Sequence, residues 1–166
     1  MKILILAAHP DDEVLGMGGT IKKLSKGGND IKIIFMSTGI LSRRKIESKV
    51  SKQVFTKDWM KKNENKIKSL RGDAKKAGKI LGVNEIEFMD FPDNEMDTVS
   101  TLMVTKSIEN SIKDFNPNVV YTTPQNDVNV DHQKVYASTL VATRPHKNSN
   151  VQEVLSYEIP SSTEWF

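Results

Sequence analysis

Six consecutive apolar residues, Ile3-Leu4-Ile5-Leu6-Ala7-Ala8, open the chain and stop at His9-Pro10-Asp11-Asp12-Glu13. A run without polar alternation suits a strand covered on both faces, and Pro10 takes the backbone out of the ladder where the acids begin. Val14, Leu15, Ile21 and Leu24 then recur at helical spacing until Gly27-Gly28, and Asp30 to Met36 is again β-rich. Together these predict a βαβ unit. Gly16, Gly18 and Gly19 do not form a nucleotide fingerprint, because they fall inside the helix start behind acids that would repel a pyrophosphate; they suit close packing of helix on sheet.

A polar, Lys-rich segment runs from Ser42 to about Lys68, followed by a helix that carries Ala74, Ala77, Ile80 and Leu81 and ends at Gly82. Ile86 to Met89 predicts a short strand and Phe91-Pro92-Asp93-Asn94 a loop. Thr98 or Ser100 caps a helix with Leu102, Met103, Ile108, Ile112 and Phe115 inside. Asn116-Pro117 ends that helix before a buried strand, Val119-Val120-Tyr121. The loop Thr122 to Asn129 leads into a helix from about Asp131 to Thr143 that is expected to bury Val135, Leu140 and Val141. Arg144-Pro145 stops it ahead of a strand around Val154 to Ile159. Alternating strands and helices predict an α/β fold with a mainly parallel sheet and helices on both faces. In such a sheet ligands bind at the carboxyl ends of the strands, which is where the first acid cluster falls.

At 166 residues the chain has the size of one domain. It contains no cysteine, which excludes disulfides and thiolate metal sites and leaves nitrogen and oxygen as metal ligands. The opening apolar run is too short for a signal-peptide core or a membrane span, so a cytoplasmic protein is the default expectation. Net charge is only +3, yet Lys57 to Lys79 holds nine basic residues against three acids. Such a run is expected to be a solvated helix face. With few aromatics nearby, essentially Phe55 and Trp59, a stacking platform for single-stranded nucleic acid is poorly supported, and no nucleic-acid partner is expected.

Two of the three histidines, His9 and His132, follow predicted strands and sit beside aspartates, whereas His146 lacks such company. Hydrolytic zinc takes three ligands of the His/Asp/Glu type and keeps a fourth position for water. His9, Asp12 and His132 could supply that set, which leaves Asp11 as a general base. Glu13 falls where the dipole of the following helix favours a carboxylate. Asp127 and Asp131 are candidates to hold the other ring nitrogen of a ligand histidine. Arg43, Arg44 and Arg144, each in a predicted loop after an element whose carboxyl end is expected to face the site, could read a phosphate bidentately.

Ala8-His9-Pro10-Asp11-Asp12-Glu13, paired with Asp127-Val128-Asn129-Val130-Asp131-His132, resembles the two signature motifs of the PIG-L/LmbE-like family of zinc-dependent N-deacetylases. The likeness extends to Leu81-Gly82-Val83, Phe91-Pro92-Asp93 and the segment Tyr157 to Trp165, and so spans essentially the whole chain as one domain. It implies a Rossmann-like three-layer sandwich and removal of acetyl from an N-acetyl amino sugar that is free, nucleotide-linked, lipid-linked or part of a glycan. It further implies that zinc or another divalent metal is held by His9, Asp12 and His132, with Asp11 as base. Asp93 would bond sugar hydroxyls, with Arg71 a second substrate contact.

Two departures from the family pattern stand out. Asn129 occupies a place where many members carry a histidine that stabilises the oxyanion or assists the amine; asparagine can donate a hydrogen bond but cannot protonate anything. Thr123 also stands where related sugar deacetylases often have histidine. Relatives commonly continue for several tens of residues beyond the equivalent of Trp165, so a domain shortened at its C-terminus is expected. The alternative reading is a catalytically impaired homologue that binds metal or sugar without releasing acetate. Oligomerisation stays open.

Overall fold

The computed structural model describes residues 1–40, 57–145 and 149–160. Five strands, β1 (Lys2–Ala7), β2 (Asp30–Ser37), β3 (Glu85–Phe91), β4 (Val119–Thr122) and β5 (Glu153–Ser156), form one sheet in the order β3-β2-β1-β4-β5. Every pairing is parallel. Among the described residues five α-helices accompany it: α1 (Asp12–Lys26), α2 (Lys57–Lys62), α3 (Glu64–Leu81), α4 (Thr101–Phe115) and α5 (Val130–Ala142).

The chain winds outward from β1 to β3, then returns to the other side of β1 with β4 and β5. Strand order therefore reverses between β1 and β4, the position at which an open α/β sheet forms a crevice beyond its carboxyl ends. Ile3, Leu4 and Ile5 align with Val119, Val120 and Tyr121, so the loops after β1 and β4 emerge side by side. Residues some hundred and twenty positions apart meet there for this reason alone.

Strand alternation divides the core in two. Leu4, Leu6 and Ala8 pack with Ile34, Met36, Val104, Ile108 and Val135 on the face covered by α4 and α5. Ile3, Ile5 and Ala7 pack with Ile31, Ile33, Phe35, Ile21 and Ala74 on the face covered by α1 and α3. The central strands are thus buried on both sides, as continuous apolar runs require. This is the expected three-layer α/β sandwich.

Several helical side chains lie outside the predicted core. Leu140 and Val141 are 45% and 41% exposed, because α5 turns Val135, Ser138, Thr139 and Ala142 toward the sheet instead. Its buried face is largely polar, with the Thr122 and Thr139 hydroxyls bonded at 3.0 Å, so hydrophobicity is a poor guide to its orientation. Leu102 and Met103 precede the buried stripe of α4 that starts at Val104, and Val14, Leu15 and Ile80 also face outward. The segment read as polar up to Lys68 contains α2 and the first turn of α3.

Of the three early glycines, Gly16 is the one at a close approach. A β-carbon there would meet the Glu158 carbonyl oxygen at 2.5 Å and the Tyr157 ring at 2.6 Å, whereas Gly18 and Gly19 have open space or ordinary contact. The contact is with the segment after β5 and not with a strand. Tyr157 is buried beneath it and donates its hydroxyl to the Leu6 carbonyl at 3.0 Å.

Candidate metal centre

β1 ends at Ala7, and Pro10 lies in the tight turn that follows, in which the His9 carbonyl accepts from the backbone N–H of Asp11 at 3.0 Å and of Asp12 at 3.4 Å. Helix α1 starts immediately, so Asp11 sits at its N-cap with an exposed side chain, while Asp12 and Glu13 in the first turn point inward and are buried. After β4, Asn129 caps α5 by accepting from the Asp131 N–H at 2.9 Å, and the first turn buries Asp131 and His132. Both clusters are therefore fixed by helix starts at adjacent strand ends.

Three atoms converge. His132 Nε2 lies 3.2 Å from both His9 Nδ1 and Asp12 Oδ2, and His9 Nδ1 lies 3.5 Å from Asp12 Oδ2. Ligands about 2.0–2.1 Å from a tetrahedral zinc stand roughly 3.3 Å from one another, so these three atoms span one face of such a tetrahedron. The remaining ring nitrogens are held by carboxylates. Asp127 Oδ2 bonds His132 Nδ1 at 2.7 Å; Asp131 Oδ2 lies 3.0 Å and Asp93 Oδ1 3.2 Å from His9 Nε2. Carboxylates in these places fix the tautomer that leaves the inner nitrogen free to bind metal.

Charge supports the same fit. Asp12, Asp93, Asp127 and Asp131 are all buried beside two imidazoles. With both rings neutral, these four carboxylates place four negative charges at the cluster, and uncompensated buried charge is costly. A divalent cation on the inner ring nitrogens would offset two of them, taking the place of the two ring protons. Burial pulls the His9 pKa down, but hydrogen bonds to Asp12, Asp131 and Asp93 outweigh it and raise it to about 12. Burial also disfavours charge on His132, and Asp12 and Asp127 raise its pKa in turn. Burial works against the charge on Asp12, yet its bonds to His132 and His9 hold its carboxyl below the usual carboxylate range.

A second set, His9, Asp93 and Asp131, also has donor atoms close enough for an ion. It offers only one nitrogen, and Asp131 is already occupied: its Oδ2 accepts from Asn94 N–H at 2.6 Å and its Oδ1 from Met96 N–H at 3.0 Å. Asp131 thereby ties the loop after β3 to His9. That junction is not legible in the sequence, since nothing in Phe91-Pro92-Asp93-Asn94 announces which histidine it approaches.

Asp11, Asp12, Asp93, Asn129 and both histidines line a common cleft of about 630 Å³. Glu13 lies under it, with Oε2 lacking a hydrogen-bond partner; burial, reinforced by the charges of Asp12 and Asp11, raises its pKa to about 7. Thr123 is buried and donates to the His132 carbonyl at 2.8 Å. Asp93 faces His9 and accepts from Asn94 Nδ2 at 2.7 Å while also lining the cleft.

The arginines fall elsewhere. Arg71 turns toward β3, where it pairs with Asp90 and lies 5.1 Å over the Phe88 ring, one position around α3 from the cleft-lining Leu70. Arg144 is exposed and 3.6 Å from Glu109 at the end of α5. That helix begins at the metal cluster, so its carboxyl end runs away from it, contrary to the expectation. Arg43 and Arg44 lie outside the described residues, as do His146 and the Ser161 to Trp165 part of the C-terminal motif.

Residues 4–143 match the family model described as PIG-L: GlcNAc-PI de-N-acetylase. The chain is 31% identical over 119 residues to the diacetylchitobiose deacetylase of Thermococcus kodakarensis, covering 72% of this chain and 39% of that protein. It is 27% identical over 132 residues to the probable N-acetyl-alpha-D-glucosaminyl L-malate deacetylase 2 of Bacillus cereus, covering 78% of this chain and 55% of the relative. The crystal structure of the conserved protein TT1542 from Thermus thermophilus superposes with a TM-score of 0.72 at 19% identity, over 94% of this chain and 65% of that one, and so shares the fold. The chain thus spans 39% and 55% of the length of the two deacetylase relatives.

Proposed function

The chain belongs to the PIG-L family, and from that premise we propose that it hydrolyses the acetamide of an N-acetyl amino sugar or sugar conjugate. The observation that carries the reading is the triad His9 Nδ1, Asp12 Oδ2 and His132 Nε2, with atoms 3.2–3.5 Å apart at the floor of an open cleft. These residues would hold zinc or another divalent ion. When bound, such an ion polarises a carbonyl and makes water acidic enough to ionise near neutral pH.

The chain's own residues account for the proton traffic. Asp12 is committed between two imidazoles, whereas Asp11 is exposed at the same helix start and lines the cleft. Asp11 therefore takes a proton from the attacking water. The C–N bond breaks as that proton passes to the nitrogen, giving acetate and a free amine; without protonation an amide nitrogen is a poor leaving group. Asn129 keeps its Oδ1 on the cap of α5 and sends Nδ2 toward Asn94 Oδ1 at 3.2 Å. A second N–H on Nδ2 is a donor for the developing oxyanion. Asp93 presents a carboxylate to sugar hydroxyls while steadying His9.

One relative is named for diacetylchitobiose and the other for an N-acetyl-alpha-D-glucosaminyl malate, which favours that sugar class. No described helix is long and apolar enough to cross a membrane. The test is acetate release and metal content measured on one preparation of full chain against a panel of N-acetyl sugars. Acetate in proportion to bound zinc supports the reading; zinc-loaded protein that releases none from any member refutes it. Asn129 in place of histidine favours the second reading, a binding homologue, which would take up sugar without acetate.

A further inference from the structure

Asn94, in the loop after β3, lines the cleft beside Asp93 and has an exposed side chain. Its backbone is left-handed, with φ 55°, a region where glycine is least strained and asparagine is tolerated. The backbone therefore does not by itself select asparagine over glycine. The contacts of the amide do.

Both ends of that amide are engaged. Nδ2 donates to Asp93 Oδ1 at 2.7 Å and Oδ1 accepts from Asn129 Nδ2 at 3.2 Å, while the backbone N–H donates to Asp131 Oδ2 at 2.6 Å. The polarity of the chain is fixed at each step. A carboxylate only accepts, so Asn94 turns Nδ2 to Asp93 and has Oδ1 left for Asn129. Asn129 in turn commits Oδ1 to the Asp131 N–H at 2.9 Å, which leaves Nδ2 facing Asn94. At the far end Asp93 Oδ1 lies 3.2 Å from His9 Nε2, so the chain crosses the cleft from the metal cluster to the start of α5.

For Asn129 the consequence is geometric. The terminal torsion of an asparagine is broad, so one bond at Oδ1 leaves the plane of the carboxamide soft. A second bond at Nδ2 fixes that plane and with it the direction of the remaining N–H. A donor aimed in advance at a developing charge needs no reorganisation when the charge appears, and a misplacement of about 1 Å can lower a rate about 10²-fold.

We infer that Asn94 is a positioning residue: through its Oδ1 it holds the Asn129 amide in the plane that presents a second N–H to the oxyanion. The inference rests on the deacetylase reading for the chemistry at Asn129 and names the residue on which that asparagine depends.

The test combines two variants. Asn94→Gly suits the left-handed backbone and keeps the N–H bonded to Asp131, so it removes the amide alone. Asn129→Ser keeps a capping oxygen for α5 and removes Nδ2. Acetate release by zinc-loaded full chain is followed with N-acetylglucosamine, its methyl glycoside and diacetylchitobiose. Asn94→Gly should lower kcat about tenfold or more with KM within about twofold, since the oxyanion exists only beyond the ground state. In the Asn129→Ser background the same change should have no further effect on kcat, because the group it positions is gone. A readout independent of turnover is the nitrogen–proton NMR correlation of the Asn129 side-chain amide in metal-free protein, identified by its loss in Asn129→Ser. Its proton shifts should move on Asn94→Gly toward those of a solvent-exposed asparagine.

A kcat loss that persists in the Asn129→Ser background overturns the inference, as does an amide signal that Asn94→Gly does not move. A raised KM with unchanged kcat also overturns it and assigns Asn94 to Asp93 and sugar binding instead. If the amide signal moves while the wild type releases acetate from none of the sugars, the coupling of the two amides stands and the deacetylase reading fails.

Discussion

Asp131→Asn isolates what a single buried carboxylate does for this fold and its metal. Asp131 is fully buried and accepts three bonds: from Asn94 N–H at 2.6 Å, from Met96 N–H at 3.0 Å and from His9 Nε2 at 3.0 Å. An amide keeps one accepting oxygen and presents an NH2 where the other stood, so it must face at least one backbone N–H donor to donor. A hydrogen bond to a charged group is worth about 1.5–3 kcal/mol, and an unsatisfied buried donor costs about 1–3 kcal/mol. A loss of about 2–4 kcal/mol follows for the metal-free protein, a large share of a typical domain's 5–15 kcal/mol but not all of it. Urea unfolding of chelator-treated protein measures it. With its oxygen at the Oδ2 position the amide still accepts from His9 Nε2, but as a neutral acceptor in place of a carboxylate, and since losing such a partner typically lowers metal affinity about 10–100-fold, weakening it should lower affinity toward the smaller end of that range. Competition against a zinc indicator reads that second effect. Wild-type unfolding together with wild-type zinc affinity would refute both the tautomer assignment and the role of Asp131 in tying the loop after β3 to the site.

Asp11→Asn should lower acetate release by about 10²–10⁴-fold, the usual worth of a general base, while zinc content stays at the wild-type level; unchanged turnover would remove Asp11 from the chemistry. Gly16→Ala forces a methyl against the Glu158 carbonyl and the Tyr157 ring, and should cost about 1–3 kcal/mol in thermal or urea unfolding, whereas Gly19→Ala should not destabilise. Lys32 is buried at the opposite end of the sheet with Glu85 at 2.6 Å and Glu87 at 2.8 Å; burial lowers its pKa, but these two partners outweigh it and raise it above 10.5. Its stabilisation is complete below that ordinary value and disappears as pH rises through the higher folded one. Lys32→Met should therefore flatten the alkaline end of the urea midpoint against pH, and a limb as steep as the wild type's would count against the pairing.

How much of this could be read from the residues depends on whether the cause is local. The strand that ends ahead of Pro10 is local, as is a pair of acid-histidine clusters at two helix starts, because strand burial and helix capping act over a few residues. Arg144 shows where that breaks down. Its loop follows a helix, and a helix that begins at the carboxyl edge of a parallel sheet ends at the other edge, so the element before a loop matters as much as the loop. Asp131 has two jobs, at His9 and at the backbone of Asn94 and Met96, that only the packing of α5 against the loop after β3 brings together.

Trp59 marks a different limit. The composition of residues 57–79 is dominated by lysine, and a composition-level reading assigns all of it to solvent. Two of the basic side chains in fact reach back to the sheet: Arg71 pairs with Asp90, and Lys75 and Arg71 lie over the Phe88 ring of β3. The spacing of Trp59, Asn63, Lys66, Leu70 and Asp73 nevertheless separates one face from the rest, and it runs across a helix break that hides it from any window confined to a single helix. Five positions of mixed chemistry give little hydrophobic contrast, so amphipathicity cannot find them. What distinguishes them is that a large aromatic stands on a six-residue helix with no buried side chain. Its side chain is half-buried where it lines the cleft that also holds the metal triad.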